Sequence, residues 1–110
     1  MAYVGINAVQ AHVRYNGTNN TITSDYNISS LTDVNTGRHW VNFTTNMSDA
    51  NYSVVTGVTK QGNSDNSDQK VCVGGIGARE PATNRFPLST CAGTASMQDV
   101  AIVCAAVFND

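Results

Sequence analysis

The chain is 110 residues long, the size of one domain. Six basic against eight acidic side chains leave a formal charge of -2, and only 13% of residues are charged, which excludes the basic footprint of a nucleic-acid binder. No apolar run approaches the roughly 18 residues that a spanning helix needs, which excludes membrane insertion by a helix. Solubility therefore falls to neutral polar groups, and 13 Asn, 9 Ser and 12 Thr supply them.

Residues 1–8 read as a connector or a first strand, ahead of a single core domain over 9–110. The opening Met1-Ala2-Tyr3-Val4-Gly5 has neither a basic start nor a long apolar stretch, so no signal peptide is read there. Val9, Ala11, Val13 and Tyr15 alternate with Gln10, His12 and Arg14, the pattern of a half-buried strand. Asn16-Gly17 ends it as a hairpin dipeptide. Thr21 to Ile28 reads as the return strand, rich in β-branched and aromatic residues. Ser29 to Gly37 reads as a loop. Arg38 to Thr45 reads as the next strand, with Val41 and Phe43 on one face. Trp40 shares the opposite face with Asn42, leaving a neighbouring sheet, a neighbouring subunit or a ligand as its partner.

After a turn over Asn46 to Asn51, Tyr52, Val54, Thr56 and Val58 alternate with Ser53, Val55, Gly57 and Thr59, and predict a longer strand. Gln61 to Gln69 is a polar loop and Lys70 to Gly75 a short strand. Ile76 to Cys91 is the least regular segment, with both prolines and the only Glu, although a strand is predicted near Phe86 to Thr90. Ala92 to Met97 reads as a small-residue turn. Asp99 to Phe108 is apolar at nearly every position, which places it centrally in a sandwich or at a subunit interface. Many short strands with frequent turns and no amphipathic helical period predict an all-β antiparallel sandwich of about seven strands.

Catalytic and metal chemistry find little support. His12 and His39 have no partner at metal-ligand spacing, which leaves only repetition of one of them about a threefold axis. The eight carboxylates fall mostly in predicted turns, where Asp caps its own backbone, and no pair suggests a glycosidase. Asp65-Asn66-Ser67-Asp68 lacks the Gly and terminal Glu of a calcium loop. Val73-Gly74-Gly75-Ile76-Gly77 does not precede a helix, so a phosphate cradle is not expected. The chain is read as a non-enzyme without cofactor or metal. Cys72, Cys91 and Cys104 cannot close a disulfide framework within one chain, being odd in number. Cys72 and Cys104 are expected to act as small hydrophobes, reduced as in a bacterial cytoplasm. The Asn-X-Ser/Thr sequons at Asn16, Asn27, Asn42, Asn46 and Asn51 follow from composition alone.

Four segments carry a resemblance: Tyr15-Asn16-Gly17-Thr18, Ser29-Ser30-Leu31-Thr32-Asp33, Trp40-Val41-Asn42-Phe43-Thr44-Thr45 and Met47-Ser48-Asp49-Ala50-Asn51-Tyr52. Together they resemble the C-terminal domains of tail fibres and related virion proteins of tailed bacteriophages, cyanophages above all. The resemblance covers Val9 to Val58, and Val100 to Phe108 is similar in character to the last strand of such domains. It implies a homotrimer carried on the virion, assembled in the host cytoplasm beside other phage tail proteins. It also implies a host receptor, either a surface glycan or an outer-membrane protein. The alternative is a structural module of another appendage, a neck or head fibre, without receptor contact.

In the trimer, Trp40, Ile102, Cys104, Ala106 and Phe108 are the expected interface residues. Arg79, Glu80, Asn84 and Arg85 are the expected receptor contacts, because they alone combine charge, length and irregular backbone. An up-and-down tracing puts the turns at Asn16 to Asn20 and Asn46 to Asn51 at one distal end, with the Ile76 to Cys91 loop beside them.

Overall fold

The computed structural model describes residues 9–58, 69–74, 80–92 and 96–109. The expected loop over 61–68, the segment 75–79 with Arg79, and the Gly-rich run beyond Gly74 lie outside the described residues. The described residues form nine strands and no helix. The first five are β1 (Val9–Asn16), β2 (Thr21–Tyr26), β3 (Ile28–Asn35), β4 (Arg38–Phe43) and β5 (Ser53–Val58). They are followed by β6 (Gln69–Val73), β7 (Arg85–Ala92), β8 (Ser96–Met97) and β9 (Val103–Phe108).

Two antiparallel sheets result. Sheet A runs β2-β1-β9-β5, and sheet B runs β3-β4-β7-β6 with β8 beside β7. Alternation along each strand sends one set of side chains between the sheets. Ala11, Val13 and Tyr15 from β1 and Val103, Ala105 and Val107 from β9 line sheet A's inner face. They meet Val41 and Phe43 from β4 and Phe86 and Leu88 from β7. The last strand is thus central in its sheet, paired to β1 on one side and β5 on the other. Phe43, Tyr52 and Phe86 close one end of the core, with ring centroids 5.5 to 6.5 Å apart.

The largest departure from expectation is at Asn27. The stretch Thr21 to Ile28 is not one strand. Asn27 takes a left-handed backbone, φ 58°, and the chain leaves sheet A there to begin β3 in sheet B. Asn tolerates that conformation better than most residues. Its side chain then holds the corner: Nδ2 donates to the carbonyls of Gln10 (3.3 Å) and Thr45 (3.1 Å), and Oδ1 accepts from the Thr45 amide at 2.7 Å. The expected loop over Ser29 to Gly37 is therefore mostly strand. β3 is a sheet edge whose only inward-packed apolar residues are Ile28 and Leu31, so it carries almost no hydrophobic period.

Two smaller corrections follow from local geometry. The hairpin after β1 is present, but its left-handed residue is Asn20 (φ 62°), not Gly17. Gly17 is required by proximity: its amide donates to the Val100 carbonyl at 2.7 Å, and a Cβ there would lie 2.8 Å from that oxygen. Cys72, expected to be a small buried hydrophobe, is exposed; its neighbour Val71 packs against the core instead. All three cysteines are free thiols.

Asn27→Ala is expected to lower stability by about 2 kcal/mol or more, through lost hydrogen bonds and left-handed strain. Asn27→Gly keeps the backbone relaxed and is expected to lose about 1 kcal/mol less. Urea midpoints of the three proteins check the order.

Candidate functional site

The sandwich has two poles. At one, β1 begins beside the end of β9, with Val9 opposite Phe108. Ser48 accepts from Asn109 there at 3.4 Å. The turn before β7 sits at the same pole: the Phe43 amide donates to Asn84 (3.0 Å) and the Met47 amide to Thr83 (2.8 Å). At the other pole lie the Gly17–Asn20 turn, Gly37 and Val100, tied by Gly17 to Val100 and by the Gly37 amide to Asp99 Oδ1 at 2.7 Å. The expected common distal end is thereby overturned. The Asn16 turn is at one pole, and the Asn46 turn and residues Glu80 to Asn84 are at the other. β7 carries the rest of the described part of the Ile76 to Cys91 segment back to the Asn16 pole, where the Thr90 amide donates to the Gly37 carbonyl at 2.8 Å. The chain crosses between sheets four times instead of running up and down within one.

Of the expected receptor contacts, Arg79 lies outside the described residues. Glu80 and Asn84 are exposed and Arg85 is half-buried. Their backbone is not loose. The Ala82 amide donates to the Arg85 carbonyl at 2.8 Å, and Tyr52 donates its hydroxyl to Ala82 (2.7 Å) and Arg85 (3.0 Å). Tyr52 is thus the post on which this turn is built, a role the sequence did not announce.

Arg85 reaches onto the outer face of sheet B. Its guanidinium carbon lies 3.7 Å from the Trp40 ring centre. Arg85 is paired with Asn42, and Trp40 with Pro87, so the contact is a diagonal one across β4 and β7. Asn42 extends the surface: its Nδ2 donates to Ser30 Oγ (3.1 Å) and Thr32 Oγ1 (3.0 Å) on β3. The structure therefore joins one expected interface residue, Trp40, to one expected receptor contact, Arg85. A ligand arriving here meets a planar cation stacked on an indole beside a ladder of amide and hydroxyl groups, a surface suited to polar, planar or sugar-like groups.

The other four expected interface residues lie on the opposite side of the molecule. Cys104, Ala106 and Phe108 alternate with the buried residues of β9 on the outer face of sheet A, and Ile102 precedes them, all half-buried. Cross-strand register aligns Tyr26, His12, Ala106 and Val55 in one row. His12 and Tyr26 stack with centroids 6.2 Å apart, and Tyr26 and Val55 are 57% and 60% exposed. This face is apolar on β9 and at Tyr26 and Val55, with Gln10, His12 and Arg14 of β1 between Tyr26 and β9.

His39 and three of the aspartates serve the fold. His39 is buried, 2.7 Å from Asn20 Oδ1 and edge-on to Tyr15, so it cannot sit on a surface symmetry axis. Asp33, Asp49 and Asp99 accept turn hydrogen bonds. Among the described residues, no group of three His, Cys, Asp or Glu side chains is placed to hold a metal. No family model matches the chain, and neither a curated protein nor a solved structure matches it.

Burial pushes the Tyr52 hydroxyl up to about 12 from its usual 10.0. The folded protein keeps a proton that the unfolded chain releases, so this contribution to stability is whole below pH 10 and lost as pH rises towards 12. Tyr52→Phe is expected to flatten that part of the pH profile and to cost about 1–2 kcal/mol at neutral pH. Paired urea titrations across the range check both effects. Trp40 is the single tryptophan, so its emission reports the Arg85 contact. Arg85→Ala is expected to shift that emission and raise its quenching by acrylamide, whereas Asn84→Ala leaves both unchanged.

Proposed function

We propose that this chain is a non-catalytic binding module of a virion, the distal domain of a phage tail fibre that trimerises and binds a host-surface glycan or outer-membrane protein. The observation that carries the proposal is the outer face of sheet A. A small domain that exposes Tyr26 and Val55 at more than half their surface beside Ala106, Cys104 and Phe108 has an apolar patch of the kind that a partner covers. The resemblance over Val9 to Val58 supports a partner of the same kind, two further copies of the chain. The opposite face, with Arg85 on Trp40 and the Asn42 ladder, remains outward in such an assembly and offers polar contacts to a receptor. Several weak, identical sites then act together, and avidity raises binding by roughly 100- to 10,000-fold.

A structural module of a neck or head fibre is the alternative. It draws on one observation: Glu80, Asn84 and Arg85 sit at the same pole as Val9, where β1 begins. Contacts there suit a neighbour within the particle.

Light scattering on purified protein tests the assembly. The expected mass is about 35 kDa, three times the 11.7 kDa chain; a stable monomer overturns the trimer. Labelled protein is also expected to bind intact Gram-negative cells and to compete with phage adsorption. A trimer that binds no cell type susceptible to the phage favours the structural module.

A further inference from the structure

At the pole opposite Val9, a cleft of about 460 Å³ opens on the outer side of sheet A. Arg14, Asn16, Thr23, Ser24, Ala101 and Ile102 line it. This volume falls within the range of small-ligand sites. Two irregularities in the backbone create it. The first is a bulge between β1 and β2. Arg14 pairs with Ser24 and Tyr15 with Ile22, so Thr23 is an extra residue on β2. In a regular strand, Thr23 and Ser24 would point to opposite faces. The bulge lets both hydroxyl side chains line one cleft, the re-aiming for which bulges are known. The second is the bend at Ala101 and Ile102, which precedes β9 and forms the facing wall. The Gly17 to Val100 hydrogen bond, at 2.7 Å, pins that wall where no Cβ fits. The cleft is therefore built before any ligand arrives.

Its chemistry is cationic, with donors and acceptors beside the charge. Arg14 is exposed, and no ion pair engages it among the described residues. Asp25, one residue along β2, pairs with Val13 and points to the other face. Asp99 is held by the Gly37 amide. Asn16 Oδ1 is already taken by the amide and hydroxyl of Thr18, which leaves its NH2 group as the available function. The Thr23 hydroxyl donates to the Arg14 carbonyl at 3.1 Å and presents its lone pairs. Among the described residues, no carboxylate lines the cleft. A guanidinium with no ion-pair partner among the described residues, beside the Asn16 NH2 and the Ser24 hydroxyl, calls for an anion. The Thr23 lone pairs suit a sugar hydroxyl, and the Ala101–Ile102 wall an apolar C–H face.

We infer that this cleft binds an acidic sugar, a saccharide unit carrying a carboxylate or a phosphate, with Arg14 as the anion contact. The inference rests on the chain being a binding module whose trimer contacts lie on the Tyr26, Ala106, Val55 and Phe108 half of this face, so that Ile102 is a wall of the cleft and not a trimer contact. It gives that module a ligand class and a second, distal site apart from Trp40 and Arg85.

The test is a titration of the isotopically labelled full chain, followed by amide NMR shifts, with glucuronic acid, glucose 6-phosphate and glucose. Both acids are expected to move the amides of Arg14, Asn16, Thr23, Ser24 and Ile102 in the millimolar range, and added salt to weaken them; glucose is expected to move none. A response to one acid alone also supports the site and identifies its source as carboxylate or phosphate. Arg14→Gln is expected to weaken the acids at least tenfold, whereas Val34→Ala, at an exposed position on β3 in the other sheet, leaves them unchanged. Equal shifts with glucose, shifts elsewhere, silence up to about 30 mM, or full binding by Arg14→Gln each overturn the inference. If the parent chain binds cells and Arg14→Gln binds them equally, the acidic-sugar site falls and the binding-module function stands. If the acids bind as expected and no cells do, the reverse holds.

Discussion

The corner at Asn27 is the constraint on which the rest of the molecule depends. A chain that continued straight from β2 would extend sheet A and leave its inner face bare. The left-handed turn at Asn27 sends Ile28 into the second sheet instead. From there β3 and β4 lie across the core from β1, and Val41 and Phe43 find Ala11, Val13 and Tyr15 opposite them. The same side chain ties Gln10 on β1 to Thr45 after β4, so the two sheets are fastened at the point where the chain passes between them. Tyr52 does the matching work for β7, holding the carbonyls of Ala82 and Arg85 as that strand begins. Asn27 is outside the core and Tyr52 at its end, yet each decides where a strand of the core starts.

With the interior closed, the outward faces are left to differ. Sheet A shows Tyr26, Ala106 and Val55 in one row with His12, and sheet B shows Arg85 on Trp40 with a ladder through Asn42 to Ser30 and Thr32. Few charges are spent on either. The many Asn, Ser and Thr residues act mainly on the protein itself: Asn27, Asn42, Asn16 and Thr90 hold corners, ladders and turns. A composition that looks like a solvated surface is in good part internal bracing.

Which elements the sequence disclosed follows from burial. β1, β4 and β5 each bury one face, and their alternation was plain. β9 lies between two strands and shows apolar residues on both faces, which marked it as central or interfacial. β3 was missed because an edge strand made of Ser, Thr, Asp and Asn carries no period to detect. Asn27 was missed because Tyr26 and Ile28 are good strand formers on either side of it, and the break is a single backbone angle. Of the candidate site, Trp40 and Arg85 were each singled out, but their contact depends on the register of β4 against β7, which no local pattern encodes. No local pattern marks the cleft at Arg14, since it depends on one extra residue in β2.

One feature of β1 bears on how the domain carries load. β1 pairs with β9 from Val9 to Tyr15 and with β2 from His12 to Asn16, so that its second half is held on both sides. Those bonds run perpendicular to the strand. A pull applied along β1, between the Val9 pole and a ligand held near Arg14, would stress both ladders in shear, so that many bonds must fail together. A pull that peels Val9 from Phe108 at their shared end would open the same ladder one bond at a time. The strand is therefore strong in one direction and weak in the other, and a tether attached at Val9 with its grip at the far pole uses the strong one.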